Sequence, residues 1–433
     1  MADRCAPGAQ ALRALVAALL AGAVAACAPG GGAPRTPAPD LPADQASLAA
    51  RLTQVVAARD RAGFDALFWT PSSATATGAA PTAAAPTGRR DILWANLGLL
   101  GSVRFAPGPA TDQLRVGWTT GTADPRSAWQ LVGGVACGAA GCALDDLRAV
   151  AGEPAPLWAV QTLTRQDDGR AVVLVGPGDA AAVWAPLARQ GLDAVDATGL
   201  SGLTGPTPVG LVVEVPATAA AFQAVLGTDA AGFAQTGALT WTEDTGLPPA
   251  APPAPPAPPA FDSGSASSSA SAAPVSVGGW TPPSAAVHIV VNPTATAGLS
   301  DAQKAMLLAH EALHVATAGR PVADGADWVS EGTAELVALP LDAATADWSR
   351  QAARAACGPS GLTPPPDAAF AGADPDARRT AYAVSWQLLT LLRAHEDPGR
   401  AQADLVSLWE GEPGVVPGVL ANLAAWSQAW CQG

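Results

Sequence analysis

Residues 300–317, SDAQKAMLLAHEALHVAT, constrain this chain more than any other stretch. Ser300 followed by Gln303 makes a capping-box pair, and Gly319 and Pro321 close the run, so the spacing predicts one helix. In that helix His310 and His314 stand at i and i+4, one turn apart on one face. Two imidazoles so placed reach a single metal ion, and Glu311 stands where a general base for a metal-activated water belongs. The chain holds four histidines, and two of them are here. The bland alternative is a solvated helix carrying two surface histidines and a glutamate. The flanking Met306, Leu307, Leu308, Leu313 and Val315 weigh against it, because a buried His–Glu–His group without a partner is costly.

A third ligand decides the chemistry, since catalytic zinc sites hold three protein ligands and keep a fourth position open. Residues 327–339, DWVSEGTAELVAL, predict a second short helix ended by Pro340, with Glu331 and Glu335 one turn apart. The segment Trp328-Val-Ser-Glu331-Gly-Thr-Ala-Glu335 resembles the W-x-x-E-G-x-A-[DE] segment of gluzincins, the clan of thermolysin and the zinc aminopeptidases. The resemblance implies Zn²⁺ as cofactor, bound by His310, His314 and Glu331. It also implies Glu335 as the carboxylate orienting a ligand histidine, Glu311 as base, and a peptide or protein substrate. The alternative for Glu331 and Glu335 is a solvated helix face.

Other stretches fit the same resemblance. Val287 to Asn292 resembles the gluzincin edge strand that pairs with extended substrates beside the cleft. Tyr382, the one tyrosine of the chain, is implied as a donor to the developing oxyanion; the alternative is an ordinary amphipathic tyrosine at a helix boundary. His395 reads as a residue near a helix C-terminus and His288 as a strand residue. The resemblance spans about residues 155–433 and is strongest over 287–340. It departs from the aminopeptidases in lacking a G-x-M-E-N segment, so it does not imply their specificity for a free amino group. As a whole the chain resembles an actinobacterial-type surface lipoprotein with a peptidase-like domain. A non-catalytic binding or structural lipoprotein on the same scaffold is a second reading, and a zinc hydrolase acting on another bond is a third.

The N-terminus reads as an export signal. Arg4 and Arg13 precede an apolar run at 14–26 that is too short to span a membrane as a mature helix. It ends in Val24-Ala25-Ala26-Cys27, which resembles a bacterial lipobox, with Cys27 as the acylated residue. That predicts a protein anchored by lipid at the extracellular face of the cell membrane. Cys5 leaves with the signal, and Cys137, Cys142, Cys357 and Cys431 remain. In an oxidising compartment they read as disulfides. Three pairings are open; Cys137–Cys142 and Cys357–Cys431 are favoured, and a cysteine zinc site is the weaker alternative. A net charge of −14 with a single lysine, Lys304, argues against a nucleic-acid partner.

The rest of the chain predicts an α+β protein. Residues 1–26 are the signal peptide and 27–45 a flexible Pro/Gly/Ala-rich tether. A small α+β domain follows over 46–152. It opens on a helical pattern from Leu48 to Phe68 and continues in short strands at 114–120, 128–132 and 143–150. A long helix before a curved sheet resembles the cone of nuclear-transport-factor-like domains. Residues 155–433 form the gluzincin-like domain, predicted as a mixed β-sheet with a mainly helical C-terminal part. A Pro/Ser/Ala-rich stretch at 247–275 cannot bury enough apolar surface to order itself. It reads as an insertion inside that domain, because the strand beginning at Val287 looks like the partner of the strand beginning at Ala238.

Overall fold

Two β-sheets carry the architecture, one antiparallel and one mixed, with helices packed on both. The computed structural model describes residues 41–68, 88–121, 128–138, 141–177, 181–200, 202–204, 210–227, 233, 236–242, 287–371 and 374–433. The residues read as an export signal, Cys27 among them, most of those read as a tether, and residues 247–275 lie outside the described residues. The fold is α+β, as the pattern predicts.

Helix α1, Gln45–Ala57, starts where Asp44 accepts a hydrogen bond from the Ser47 amide. Its buried Leu48, Leu52, Val55 and Val56 form the expected stripe. The helical pattern does not run on to Phe68 as a single helix. Arg59 adopts φ 55°, and Asp60 caps a separate short helix α2, Arg61–Ala66. The Asp60 carboxylate offers the Gly63 amide a local partner, which competes with helix continuation. The tether is also shorter than expected. The Pro42 carbonyl accepts from the Cys142 amide, so residues 41–45 belong to the folded part.

After α3, Arg89–Leu99, come four strands in a simple antiparallel meander: β1 Ser102–Pro107, β2 Gln113–Thr119, β3 Ala128–Gly138 and β4 Gly141–Ala149. Strand β1 was not among the strands read from the sequence. Cys137 and Cys142 face each other across β3 and β4 and are disulfide-bonded.

The second sheet follows the short helix α4, Leu157–Val160, and has five strands: β5 Thr164–Asp167, β6 Ala171–Val175, β7 Leu211–Val215, β8 Ala238–Thr242 and β9 Val287–Val291. Their spatial order is β5-β6-β7-β9-β8. The central β6, β7 and β9 are parallel and buried along their whole length. Burial on both faces is why they read as unbroken Val/Leu runs rather than alternating ones. Strands β8 and β9 pair antiparallel from Ala238↔Val291 to Thr242↔Val287, so the stretch between them is an insertion within one sheet. This topology corrects one expectation: β9 is internal, and β8 lies at one edge of the sheet among the described residues.

The sheet separates two cores. On one side, helix α5, Ala181–Ala197, and the C-terminal helices bury Val173, Val213, Ile289, Leu308 and Leu313. On the other, Val172, Leu174 and Val290 join α6, Ala219–Leu226, and share a core with Leu48, Trp118 and Trp158. The boundary near 152–155 is therefore packed rather than a free linker, with the Ala155 amide bonded to the Ala224 carbonyl.

The C-terminal part is helical: α7 Pro293–Thr296, α8 Asp301–Thr317, α9 Asp327–Ala338, α10 Ala343–Ala355, α11 Ala368–Ala371, α12 Pro375–His395, α13 Pro398–Glu410 and α14 Val416–Gln432. A disulfide between Cys357 and Cys431 ties the loop after α10 to the end of α14. Both favoured pairings are present. No described helix is long and apolar enough to cross a membrane.

Candidate metal centre

Helix α8 begins with the full capping box: the Ser300 hydroxyl accepts from the Gln303 amide, and Gln303 Oε1 accepts from the Ser300 amide. Its buried face holds Ala305, Leu308, Ala309, Ala312 and Leu313. Burying a leucine contributes about 1.5–3 kcal/mol, so the apolar face sets the rotation of α8 and hence where His310 and His314 point. Gly191 of α5 makes the packing close; a Cβ there would stand 3.0 Å from the Ala309 amide nitrogen. Across the helix lies α9. Its Gly332 meets α12 backbone to backbone, and a Cβ would stand 2.8 Å from the Ser385 carbonyl oxygen. The glycine following Glu331 thus sets how deeply α9, and the carboxylate beside it, can seat.

These contacts bring His310, His314 and Glu331 together as the one group of metal-ligating side chains found among the described residues. His310 Nε2 and His314 Nε2 are 3.2 Å apart. Glu331 Oε2 lies 3.2 Å from His310 Nε2 and 3.5 Å from His314 Nε2. Metal bonds of about 2.0–2.1 Å in a tetrahedron place ligand atoms about 3.3 Å apart, which is the spacing seen. Glu331 Oε2 is buried and has no hydrogen-bond donor, a deficit of about 1–3 kcal/mol for a neutral group and more for a charged one. A cation at the centre of the three donors removes that deficit. The residues present therefore fit a metal ion.

His310 turns its other nitrogen to Glu335: Nδ1 and Glu335 Oε1 are 3.1 Å apart. With Nδ1–H donating, the Nε2 lone pair faces the donor group, the tautomer a metal needs. Burial disfavours charge on His310, but the neighbouring carboxylates of Glu331 and Glu335 outweigh it and hold its pKa well above the usual value. Burial likewise opposes charge on Glu331, yet the neighbouring His314 and His310 drive its pKa far below the carboxylate range. Asp367 anchors the start of α9 through the Gly325 and Asp327 amides. Burial, then Asp367 and Glu331, raises the Asp327 pKa.

Glu311, next to the first histidine, is buried. Its Oε2 accepts a 2.6 Å hydrogen bond from Thr240 on β8, and the same hydroxyl lies 3.2 Å from the Glu311 carbonyl. Sequence reasoning missed Thr240; its only sequence signal was a place in a strand beyond the insertion from its partner. Tyr382 of α12 lies edge-on to His310 with ring centroids 5.8 Å apart, and Phe370 also packs edge-on to it at 5.3 Å. Burial, then the charges of Glu331, Glu311 and Glu335, raises the Tyr382 pKa far above its ordinary value, so its hydroxyl stays a donor. The other two histidines stand apart from the group. His288 is a buried strand residue against Glu214 at 2.9 Å, and His395, in the last turn of α12, stacks on Trp426.

Beside the group runs a cleft of about 490 Å³. It is lined by Gly237, by Ala238 and Leu239 of β8, by Met306 and Leu307 of α8, and by His310 and Tyr382. Fold and site together define an α+β protein with a His–His–Glu group able to hold a metal ion, one member of which, His310, lines a cleft. No protein-family model, no curated protein and no solved structure matches this chain.

Proposed function

We propose that this protein is a zinc-dependent metallopeptidase of gluzincin type. The observation that carries the reading is the meeting of His310 Nε2, His314 Nε2 and Glu331 Oε2 at tetrahedral spacing, with a buried carboxylate and a protonated phenol beside them. Two imidazoles and one carboxylate are the donor set of catalytic zinc. When bound, the ion supplies Lewis acidity that makes water a nucleophile near neutral pH. Glu311, held by Thr240, takes the proton and returns it to the leaving amine. Tyr382 donates to the oxygen on which charge develops. The edge of β8 offers backbone groups to an extended peptide. The lipobox ending at Cys27 supports a lipid-anchored site outside the cell, and two disulfides suit that oxidising compartment.

Metal analysis combined with peptide-library cleavage tests the reading. The wild type is expected to hold one zinc per chain and to cleave, and Glu311→Gln to keep zinc and lose cleavage. Cleavage surviving in Glu311→Gln would sink the mechanism. Stoichiometric zinc with no cleavage of any peptide would favour a binding scaffold instead.

A further inference from the structure

We propose that Arg378 is the receptor for a substrate carboxylate, so that the cleft selects peptides presenting an acidic group one or two residues beyond the bond that is cleaved. The inference rests on the peptidase reading above and names the substrate class for that site.

Arg378 lines the cleft together with Tyr382, Phe370, Met306 and Leu307. It is half-buried, and its guanidinium has no ion pair, side-chain hydrogen bond or ring contact among the described residues. The neighbouring arginines differ: Arg379 pairs with Asp376, Arg350 with Asp347, and Arg354 covers Trp430. The carboxylates of the cleft are already engaged, Glu311 by Thr240 and Glu335 by His310. Helix stability does not account for the placement either. Arg378 sits near the N-terminus of α12, where a cation opposes the helix dipole and where Asp374 and Asp376 supply the favourable charge. A half-buried guanidinium with five donors and no side-chain acceptor among the described residues is matched by a planar carboxylate bound bidentately.

The spacing suits a peptide. Arg378 and Tyr382 are four residues apart on one helix face, about 5–6 Å along it. Tyr382 faces His310 at the metal group. An extended chain advances about 3.3 Å per residue, so a carboxylate on Arg378 belongs to a residue one or two positions from the reacting carbonyl, and the proposal places it on the C-terminal side. Phe370, Met306 and Leu307 then receive an apolar side chain on the same stretch. The carboxylate is either the C-terminus of the peptide or an Asp/Glu side chain, and the two sources are separable.

The test is equilibrium binding of fluorescent peptides to the full-length, zinc-loaded Glu311→Gln protein, alongside cleavage by the wild type. Three peptides share one apolar sequence: one with a free C-terminus, one amidated, and one amidated with a glutamate at the second position past the cleavage site. At least one acidic peptide is expected to bind about 10–100-fold more tightly than the neutral amide. Preference for the free terminus identifies a carboxypeptidase-like cleft, and preference for the glutamate an endopeptidase-like one. Adding Arg378→Ala should erase the discrimination and Arg378→Lys should keep part of it. Equal binding of all three peptides to the protein with Arg378 intact overturns the proposal and leaves the peptidase reading standing; that comparison needs no Arg378 variant to fold. Discrimination that survives Arg378→Ala also overturns it. Neither binding nor cleavage of any peptide overturns both.

Discussion

Thr240 and Glu311 join the sheet to the metal group through one hydrogen bond of 2.6 Å. The hydroxyl comes from an edge strand and the carboxylate from the helix that carries both histidines. Because Glu311 is buried beside the cleft, this bond determines which way its free oxygen points. Thr240→Val keeps the shape and removes the donor. A hydrogen bond to a charged group is worth about 1.5–3 kcal/mol, so on the proposed peptidase reading kcat is expected to fall about 10–100-fold. Zinc content should be unchanged, and Thr240→Ser should restore most of the rate. Loss of zinc in Thr240→Val, or no change in kcat, would remove Thr240 from this role.

Glu335 would act on a bound metal through His310, whose Nδ1 it faces at 3.1 Å. Replacing it with alanine leaves His310 Nδ1 without its acceptor and releases the tautomer that points Nε2 at the group. Zinc affinity, measured by competition with a chromophoric chelator, is expected to drop about 10–100-fold. Glu335→Gln, which retains an acceptor oxygen, should lose less. Equal losses in the two variants would assign the effect to charge alone.

The pH dependence of the metal-free protein follows from opposite shifts in one contact pair. His310 is raised above its ordinary 6.5, so its stabilising contribution is complete below about 6.5 and fades as pH climbs through the raised folded value. Glu331 is lowered from its ordinary 4.5, so its contribution is present above about 4.5 and is lost as pH falls through the depressed folded value. The pair therefore stabilises the metal-free fold most between about pH 4.5 and 6.5. Zinc requires the proton of His310 to leave, so apparent affinity should rise steadily from pH 6 to 8 with proton release. Thermal melts and zinc titrations across that range check both statements. A zinc affinity independent of pH would exclude His310 as a ligand.

Gly332 seats α9 against α12 at a separation that leaves no room for a methyl group. Gly332→Ala raises helix propensity but forces the backbones apart, and overpacking of this kind costs about 1–3 kcal/mol. Moving α9 also moves Glu331 away from the histidines. The expected outcome is a lower Tm together with weakened zinc binding. A Gly332→Ala protein that melts higher and binds zinc normally would show that the close approach is not needed.

Much of this could be read from residue order alone, and the reason is that it is local. The capping box, the i and i+4 spacing of His310 and His314, and the turn between Glu331 and Glu335 are properties of single helices, decided within a few residues. The continuous apolar strands and the α+β class follow from hydrophobic pattern in the same way. The break at Arg59 was missed because Asp60 satisfies a backbone amide locally while the apolar period runs on across it. What only the tertiary structure decided is how distant segments meet. Strand β8 rather than β9 takes the sheet edge, because β9 is claimed on both sides by β7 and β8. Thr240 reaches Glu311, and Arg378 lines the cleft with no side-chain partner among the described residues, for reasons of packing that no local pattern encodes. Residue order determined that two histidines and a glutamate could serve one ion; the close packing allowed by Gly191 and Gly332 determined that their three donor atoms converge.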